Sequence, residues 1–170
     1  MSSLSIAASA PGQTNLVAVF VDPMIDGLGV SRTTISTLFM IGTIGAAFGM
    51  VFIGFSIDRY GPRAVMIPAV LTFGAFVMLM GVIPSSPGLA TILALGLGFL
   101  ALRLLGQGAL NMLGGIMVSL WFRKKRGRAS SYATGAGWLL GLGGLPLVSH
   151  WLISDFGWRE AWFVLGLGVW

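Results

Sequence analysis

Long apolar runs, parted by short clusters of Gly, Pro and charged residues, organise this chain from end to end. A helix that crosses a bilayer needs about 20 mostly apolar residues, and windows of that length predict six spans. The first covers 4–24, interrupted by Pro11-Gly12 and ended by Asp22-Pro23. The second covers 33–56 and is entered through Ser31, a residue type suited to a helix N-cap. The third covers 64–83 and stops at Pro84-Ser-Ser-Pro87-Gly88, and the fourth covers 89–120 and ends at a basic cluster. The fifth covers 129–152, and the sixth begins near Arg159 and is cut at Trp170, about half a membrane's worth of residues. The pattern predicts an all-α membrane protein.

Composition agrees on the solvent. The chain is 56% hydrophobic and 9% charged, against about 25% charged for a soluble domain. Its 26 glycines lack a collagen period and suit helices that pack closely in lipid. A net charge of +5 would suit nucleic acid if the cations covered a soluble face. Instead, seven of the 10 lie in two clusters, Arg59/Arg63 and Arg123-Lys-Lys-Arg-Gly-Arg128. That excludes nucleic acid as a partner and matches the cationic bias of cytoplasmic loops. Both clusters then lie inside with the N-terminus, and loops 22–32, 84–88 and 153–158 lie outside. The start, Met1-Ser-Ser-Leu4, has no basic region of the kind that opens a removable signal peptide. Without cysteine there is neither a disulfide framework nor a thiol site.

An internal repeat runs through the chain. Arg32-Thr-Thr-Ile-Ser36 opens the second span and Arg128-Ala-Ser-Ser-Tyr132 opens the fifth, 96 positions on (128 − 32). Ile57-Asp-Arg-Tyr-Gly61-Pro-Arg63 closes the second and Ile153-Ser-Asp-Phe-Gly157-Trp-Arg159 closes the fifth, again 96 on (153 − 57). The second span descends and the fifth ascends, so the two units are inverted in the membrane.

Three segments carry candidate chemistry. In Gly54-Phe-Ser-Ile-Asp58-Arg59-Tyr-Gly61-Pro-Arg63, Gly54 leaves room for a neighbouring helix. Asp58 can accept hydrogen bonds from the N-terminus of another helix, and Arg59 and Arg63 can pair with carboxylates or lipid phosphates. An ordinary cytoplasmic loop would need neither Asp58 nor the spaced glycines. In the fourth span Arg103, Gln107 and Asn111 stand at i, i+4 and i+8 on one helix face. A polar stripe there should face the bundle interior or a water-filled cavity. Arg103 lies about 26 Å along the helix from Leu120, in the outer half, with Asn111 near mid-depth. Gating or helix pairing on one hand, and anion binding on the other, are both open roles for Arg103. In the first span Pro11-Gly-Gln13-Thr14-Asn15 breaks the apolar run, and broken spans free backbone groups for binding sites.

Other features read as structure. The small residues from Gly135 to Gly144 suit close packing, Trp121, Trp151 and Trp158 form an interfacial belt, and His150 falls at the outer interface. No Asp or Glu lies at mid-membrane: Asp22, Asp26, Asp155 and Glu160 are outer and Asp58 is inner. No nucleotide loop, metal cluster or catalytic dyad is present, so neither enzyme, cofactor nor metal is expected.

The pattern Gly-x-x-x-Asp-Arg-x-Gly-x-Arg at 54–63 resembles the cytoplasmic loop signature of the major facilitator superfamily of secondary transporters. Arg103-Leu-Leu-Gly106-Gln107-Gly108 resembles that family's second signature. The segments from Val21 to Ser36 and from Trp121 to Ala129 resemble the monocarboxylate and oxalate–formate branch, although Val30 stands where the branch has an aromatic. The fifth span resembles the family's antiporter signature loosely. Leu142 occupies the place of its Pro, which is displaced to Pro146, so that motif assigns no antiport.

The resemblance implies that 1–170 is the six-helix N-terminal half of the fold, built from inverted three-helix repeats, with the sixth helix truncated and the C-terminal half absent. It implies alternating-access transport of a small organic anion, with a coupled proton or counter-anion. Membrane lipid and the C-terminal half would be partners, and a bacterial inner membrane the location. Gln13, Thr14, Asn15, Arg103, Gln107 and Asn111 would line the cavity. Gly54, Asp58, Arg59, Gly61 and Arg63 would form a latch that stabilises the outward-open state. A complete cavity needs both halves, so this polypeptide alone is not expected to transport. A non-transporting membrane scaffold and a drug-efflux member of the same fold are the alternatives.

Overall fold

The structure is a computed structural model and describes residues 8–85, 88–121, 127, 131, 135, 139 and 144–170. Among the described residues the regular structure is helical and contains no strand. A short 3-10 turn, Ala10–Gly12, leads through the extended Gln13 into α1 (Thr14–Leu28). There follow α2 (Arg32–Tyr60), α3 (Pro62–Gly81) and α4 (Leu89–Ala101). A π-helical segment (Leu102–Leu110) joins α4 to α5 (Asn111–Trp121). The chain resumes with α6 (Leu145–Phe156) and α7 (Trp158–Val169). The fifth predicted span, like the Arg123–Arg128 cluster, lies for the most part outside the described residues.

The sequence marks most of these ends. Ser31 caps α2, its hydroxyl accepting from the Thr34 N–H at 3.1 Å and so serving a donor that the first turn leaves without a carbonyl. Pro62 sits in the first turn of α3, where a missing N–H costs nothing. Pro23 behaves otherwise: α1 does not stop at Asp22-Pro23 but runs on to Leu28 and closes on the left-handed Gly29. A buried or lipid-facing helix tolerates an internal proline because neighbouring helices and local adjustments re-satisfy the carbonyl it frees, whereas αL geometry ends the helix outright. Gly29 satisfies that end by donating to the Ile25 carbonyl at 3.0 Å.

Packing is pairwise. α3 lies along α7, α2 along α4 and the π segment, and α6 doubles back on α7 while touching α1. The core gathers Phe20 and Met24 of α1, Phe73 and Val77 of α3, Phe99 of α4 and Trp162 of α7, all essentially without solvent exposure. Trp162 stacks on Phe20 with ring centroids 4.2 Å apart.

The opposite of a water-soluble surface faces outward. Phe48, Phe52 and Phe55, on one face of α2, are 71%, 72% and 68% exposed. Three helical stretches, Arg32–Tyr60, Pro62–Gly81 and Leu89–Met117, are long and apolar enough to cross a membrane. An apolar exterior of this kind is stable when hydrocarbon is the solvent, because helices satisfy their own backbone groups there.

Candidate functional site

The polar centre of the bundle is built where the broken start of α1 meets the π segment. A Cβ placed on Gly12 would strike the Leu102 carbonyl and come within 2.9 Å of the Gly106 Cα and 3.0 Å of the Gln107 nitrogen. Only a residue without a side chain permits two backbones that close. The Pro11-Gly12 break therefore stops α1 at the level of the π segment and seats Thr14 beside it.

Arg103, on that segment, is half-buried and held from three sides. Its Nε donates to Thr43 Oγ1 at 3.0 Å and its Nη1 donates to Thr14 Oγ1 at 3.1 Å. Its guanidinium lies over the Phe39 ring, 5.0 Å from the centroid, a placement that adds cation–π attraction. Phe39 is itself braced edge-on by Phe99 at 5.5 Å, and the Thr43 hydroxyl donates to the Phe39 carbonyl at 2.8 Å. Elements α1, α2 and π thus fix one planar cation. Two of its five N–H donors are used, and among the described residues the rest have no acceptor. A guanidinium with a free fork is suited to a planar oxyanion.

Of the sequence-predicted cavity residues, Thr14 and Arg103 are brought into direct contact. Gln107 reaches the same place through its backbone, against Gly12, and its side chain is exposed. Gln13 and Asn111 are half-buried and Asn15 is exposed. None of these four bonds to Arg103 among the described residues. Phe39 and Thr43 were not singled out from the sequence. Their signal was a Thr four residues after a Phe inside an apolar span, which also describes an ordinary packed helix.

At the other predicted cluster, Asp58 and Arg59 are exposed on the last turn of α2, and the Arg59 guanidinium lies 5.5 Å from the Tyr60 ring centroid. Gly61 joins α2 to α3 at φ 83°, ψ 156°, and the exposed Arg63 stands in the first turn of α3. A Cβ on Gly54 would meet nothing within 4 Å. The room it leaves is not used by the described residues.

Arginine contacts gather at the opposite ends of the helices. Arg32 donates to Asp22 across the α1–α2 connection. Arg159 donates to the Gly81 carbonyl at 3.3 Å and to Ser85 Oγ at 2.7 Å, with its guanidinium 4.5 Å from the Trp158 ring centroid. These contacts tie α1 to α2 and α7 to α3. His150 is exposed on α6, away from the Arg103 centre in sequence and element.

Three long apolar helical stretches around a half-buried internal cation mark an integral membrane protein. The family model of the Major Facilitator Superfamily matches residues 3–169, and the chain belongs to that superfamily. It is 34% identical over 77% of its length to an oxalate:formate antiporter of Oxalobacter formigenes. It is 30% identical over 71% of its length to a putative metabolite transport protein of Haemophilus influenzae. With a probable galactarate/D-glucarate transporter of Bacillus subtilis it shares 29% identity over 75% of its length. The matches span 30%, 28% and 29% of those relatives' own lengths. No solved structure matches the chain.

Proposed function

We propose that this chain is the N-terminal half-bundle of a secondary transporter that carries small organic anions, monocarboxylate- or dicarboxylate-like, by alternating access. The observation that carries the reading is Arg103: a cation inside an apolar span, oriented by Thr43, Thr14 and Phe39 with donors to spare. A charge at that depth is costly unless it is paired or serves transport. The names of two relatives, an oxalate:formate antiporter and a galactarate/D-glucarate transporter, favour carboxylates.

In this reading Gln13, Thr14, Asn15, Gln107 and Asn111 line the cavity around Arg103, and the C-terminal half of the same transporter closes it. Asp58, Arg59 and Arg63 grip that half from the cytoplasmic side, with Gly54 leaving it room, and Gly61 sets the turn between them. The bundle is multi-pass in a plasma membrane with its N-terminus inside. With no carboxylate at mid-membrane in this half, any proton coupling would be carried by the other half.

The test is uptake of radiolabelled oxalate and formate into proteoliposomes holding the complete transporter polypeptide that carries this chain. Saturable uptake is expected, with Arg103→Ala weakening half-saturation about tenfold to a hundredfold, the worth of a charge-assisted partner. Uptake of lipophilic cations in place of carboxylates would assign drug efflux instead. Absence of uptake of either would favour a scaffold.

A further inference from the structure

Phe39 and Thr43 stand one helical turn apart on α2, and both reach Arg103. The Thr43 hydroxyl donates to the Phe39 carbonyl at 2.8 Å, a bond open to a Thr inside a helix. With its proton committed there, it meets Arg103 Nε as an acceptor, at 3.0 Å. The guanidinium lies over the Phe39 ring, which Phe99 braces edge-on. A hydrogen bond at Nε and a ring against one face together hold the guanidinium plane in one orientation. The spacing of α2 from Arg103 is set one residue away. A Cβ on the buried Gly42 would stand 2.9 Å from the Leu100 nitrogen and 3.1 Å from the Phe99 carbonyl carbon. At Gly42, therefore, α2 meets α4 backbone against backbone, three residues before Arg103 on the same continuous helix. Further along the seam Gly45 and Gly49 meet only the ends of the Leu100 and Leu104 side chains, which can give way.

From this we infer that Thr43 is a positioning residue for anion binding: it sets the plane in which Arg103 offers its remaining donors to a carboxylate. The inference rests on the organic-anion reading above. A carboxylate takes parallel N–H donors from a guanidinium only when the two planes match. An ammonium is a point charge on a flexible stem and has no plane to hold. Thr43 therefore matters to a guanidinium at position 103 and matters little to an ammonium there. A Thr43 that merely packed α2 against α4 would matter equally to both.

A double-mutant cycle separates the two roles. In the complete transporter polypeptide in proteoliposomes, half-saturation by oxalate and formate is measured for Thr43→Val, Thr43→Ser, Arg103→Lys and the pair Thr43→Val with Arg103→Lys. Thr43→Val keeps the branched shape and removes the hydroxyl, and it is expected to weaken half-saturation about tenfold. Thr43→Ser returns the hydroxyl and should recover most of that loss. In the Arg103→Lys background Thr43→Val should change half-saturation by less than about twofold, as sites without a shared interaction do. Where Arg103→Lys lowers uptake below detection, the oxalate concentration that half-saturates a shift in melting temperature closes the same cycle. Equal losses in both backgrounds, or no loss on Thr43→Val, would overturn the inference and leave the organic-anion reading standing. So would an Arg103→Lys variant with the affinity of the parent, since no plane would then be needed. Undiminished carboxylate affinity in Arg103→Ala, or no carboxylate uptake by the parent, would remove the reading and the inference together. If Thr43→Val does not accumulate, Thr43→Ala completes the cycle.

Discussion

Gly61 and Gly157, 96 positions apart (157 − 61), hold almost the same backbone conformation, φ 83°, ψ 156° and φ 98°, ψ 162°. Each closes one helix and opens the next without a residue between. Gly61 donates to the Ile57 carbonyl at 2.8 Å and accepts from Val65 at 3.3 Å; Gly157 donates to Ile153 at 3.1 Å and accepts from Ala161 at 3.2 Å. An Arg follows two positions after each. The shared geometry supports the proposal that α2–α3 and α6–α7 are related units.

That backbone region is open essentially to glycine alone. Gly61→Ala and Gly157→Ala should each cost on the order of 1–3 kcal/mol, although a Cβ on Gly61 would touch nothing within 4 Å. Unfolding of the chain in mixed micelles by added dodecyl sulfate measures the loss. A loss near zero at Gly61 would show that the turn can reorganise.

The close crossing of Gly12 and Gly106 leads to a sharper contrast. A Cβ on Gly106 would lie 2.6 Å from the Phe73 ring and 2.9 Å from the Gly12 Cα. Gly12→Ala meets backbone that no rotamer change relieves, so a loss of at least about 1–3 kcal/mol is expected from overpacking. Gly54→Ala, with no neighbour within 4 Å, should leave the stability of this chain unchanged. Any fall in transport by Gly54→Ala in the complete polypeptide would then report on a partner outside these residues. Melting curves and uptake rates on the same preparations decide the matter.

These crossings mark how far the sequence could be read. Ser31 was legible because a cap demands a residue type at one position, and Gly61 and Gly157 because each stands in a repeated segment that closes a span. Pro23 was misread because a proline is a stop signal by statistics, while the actual stop is the αL Gly29. The π segment left no mark, since one changed hydrogen-bond register needs no special composition. Arg103 was legible as a cation inside an apolar span. The i, i+4, i+8 stripe, however, was counted on an α-helix, and the π winding of Leu102–Leu110 shifts that register. The partners of Arg103, Thr43 and Thr14, 60 and 89 positions away, depend on which helices adjoin, and local pattern does not encode that.

Trp162 supplies a test of the core. Its side chain has no solvent exposure and stacks on Phe20, yet among the described residues its Nε1 proton has no acceptor. Trp162→Ala should cost about 3–5 kcal/mol through the cavity it leaves. Trp162→Phe keeps an aromatic face against Phe20 and removes a buried donor that has no acceptor among the described residues, so it should cost distinctly less. Equal losses in dodecyl sulfate titrations would mean that the indole nitrogen is hydrogen-bonded in the membrane.

Orientation is fixed, in our reading, by five cations between Arg123 and Arg128, a stretch outside the described residues apart from Gly127. Short loops rich in Lys and Arg stay in the cytoplasm, because the cationic bias sets which way the adjoining spans insert. Asp58, Arg59 and Arg63 must then share that side, since one pass through α3 and one through the α4–π–α5 run separate the two clusters. The Arg32–Asp22 pair and the Arg159 contacts with Gly81 and Ser85 fall on the opposite side by the same count. A phosphatase or fluorescent-protein reporter fused after Arg126 is expected to read as cytoplasmic, and one fused after Asp155 as external. An external reading at Arg126 would reverse the membrane sidedness of the Asp58 cluster. It would then be unable to act as a cytoplasmic latch, whatever Arg103 binds.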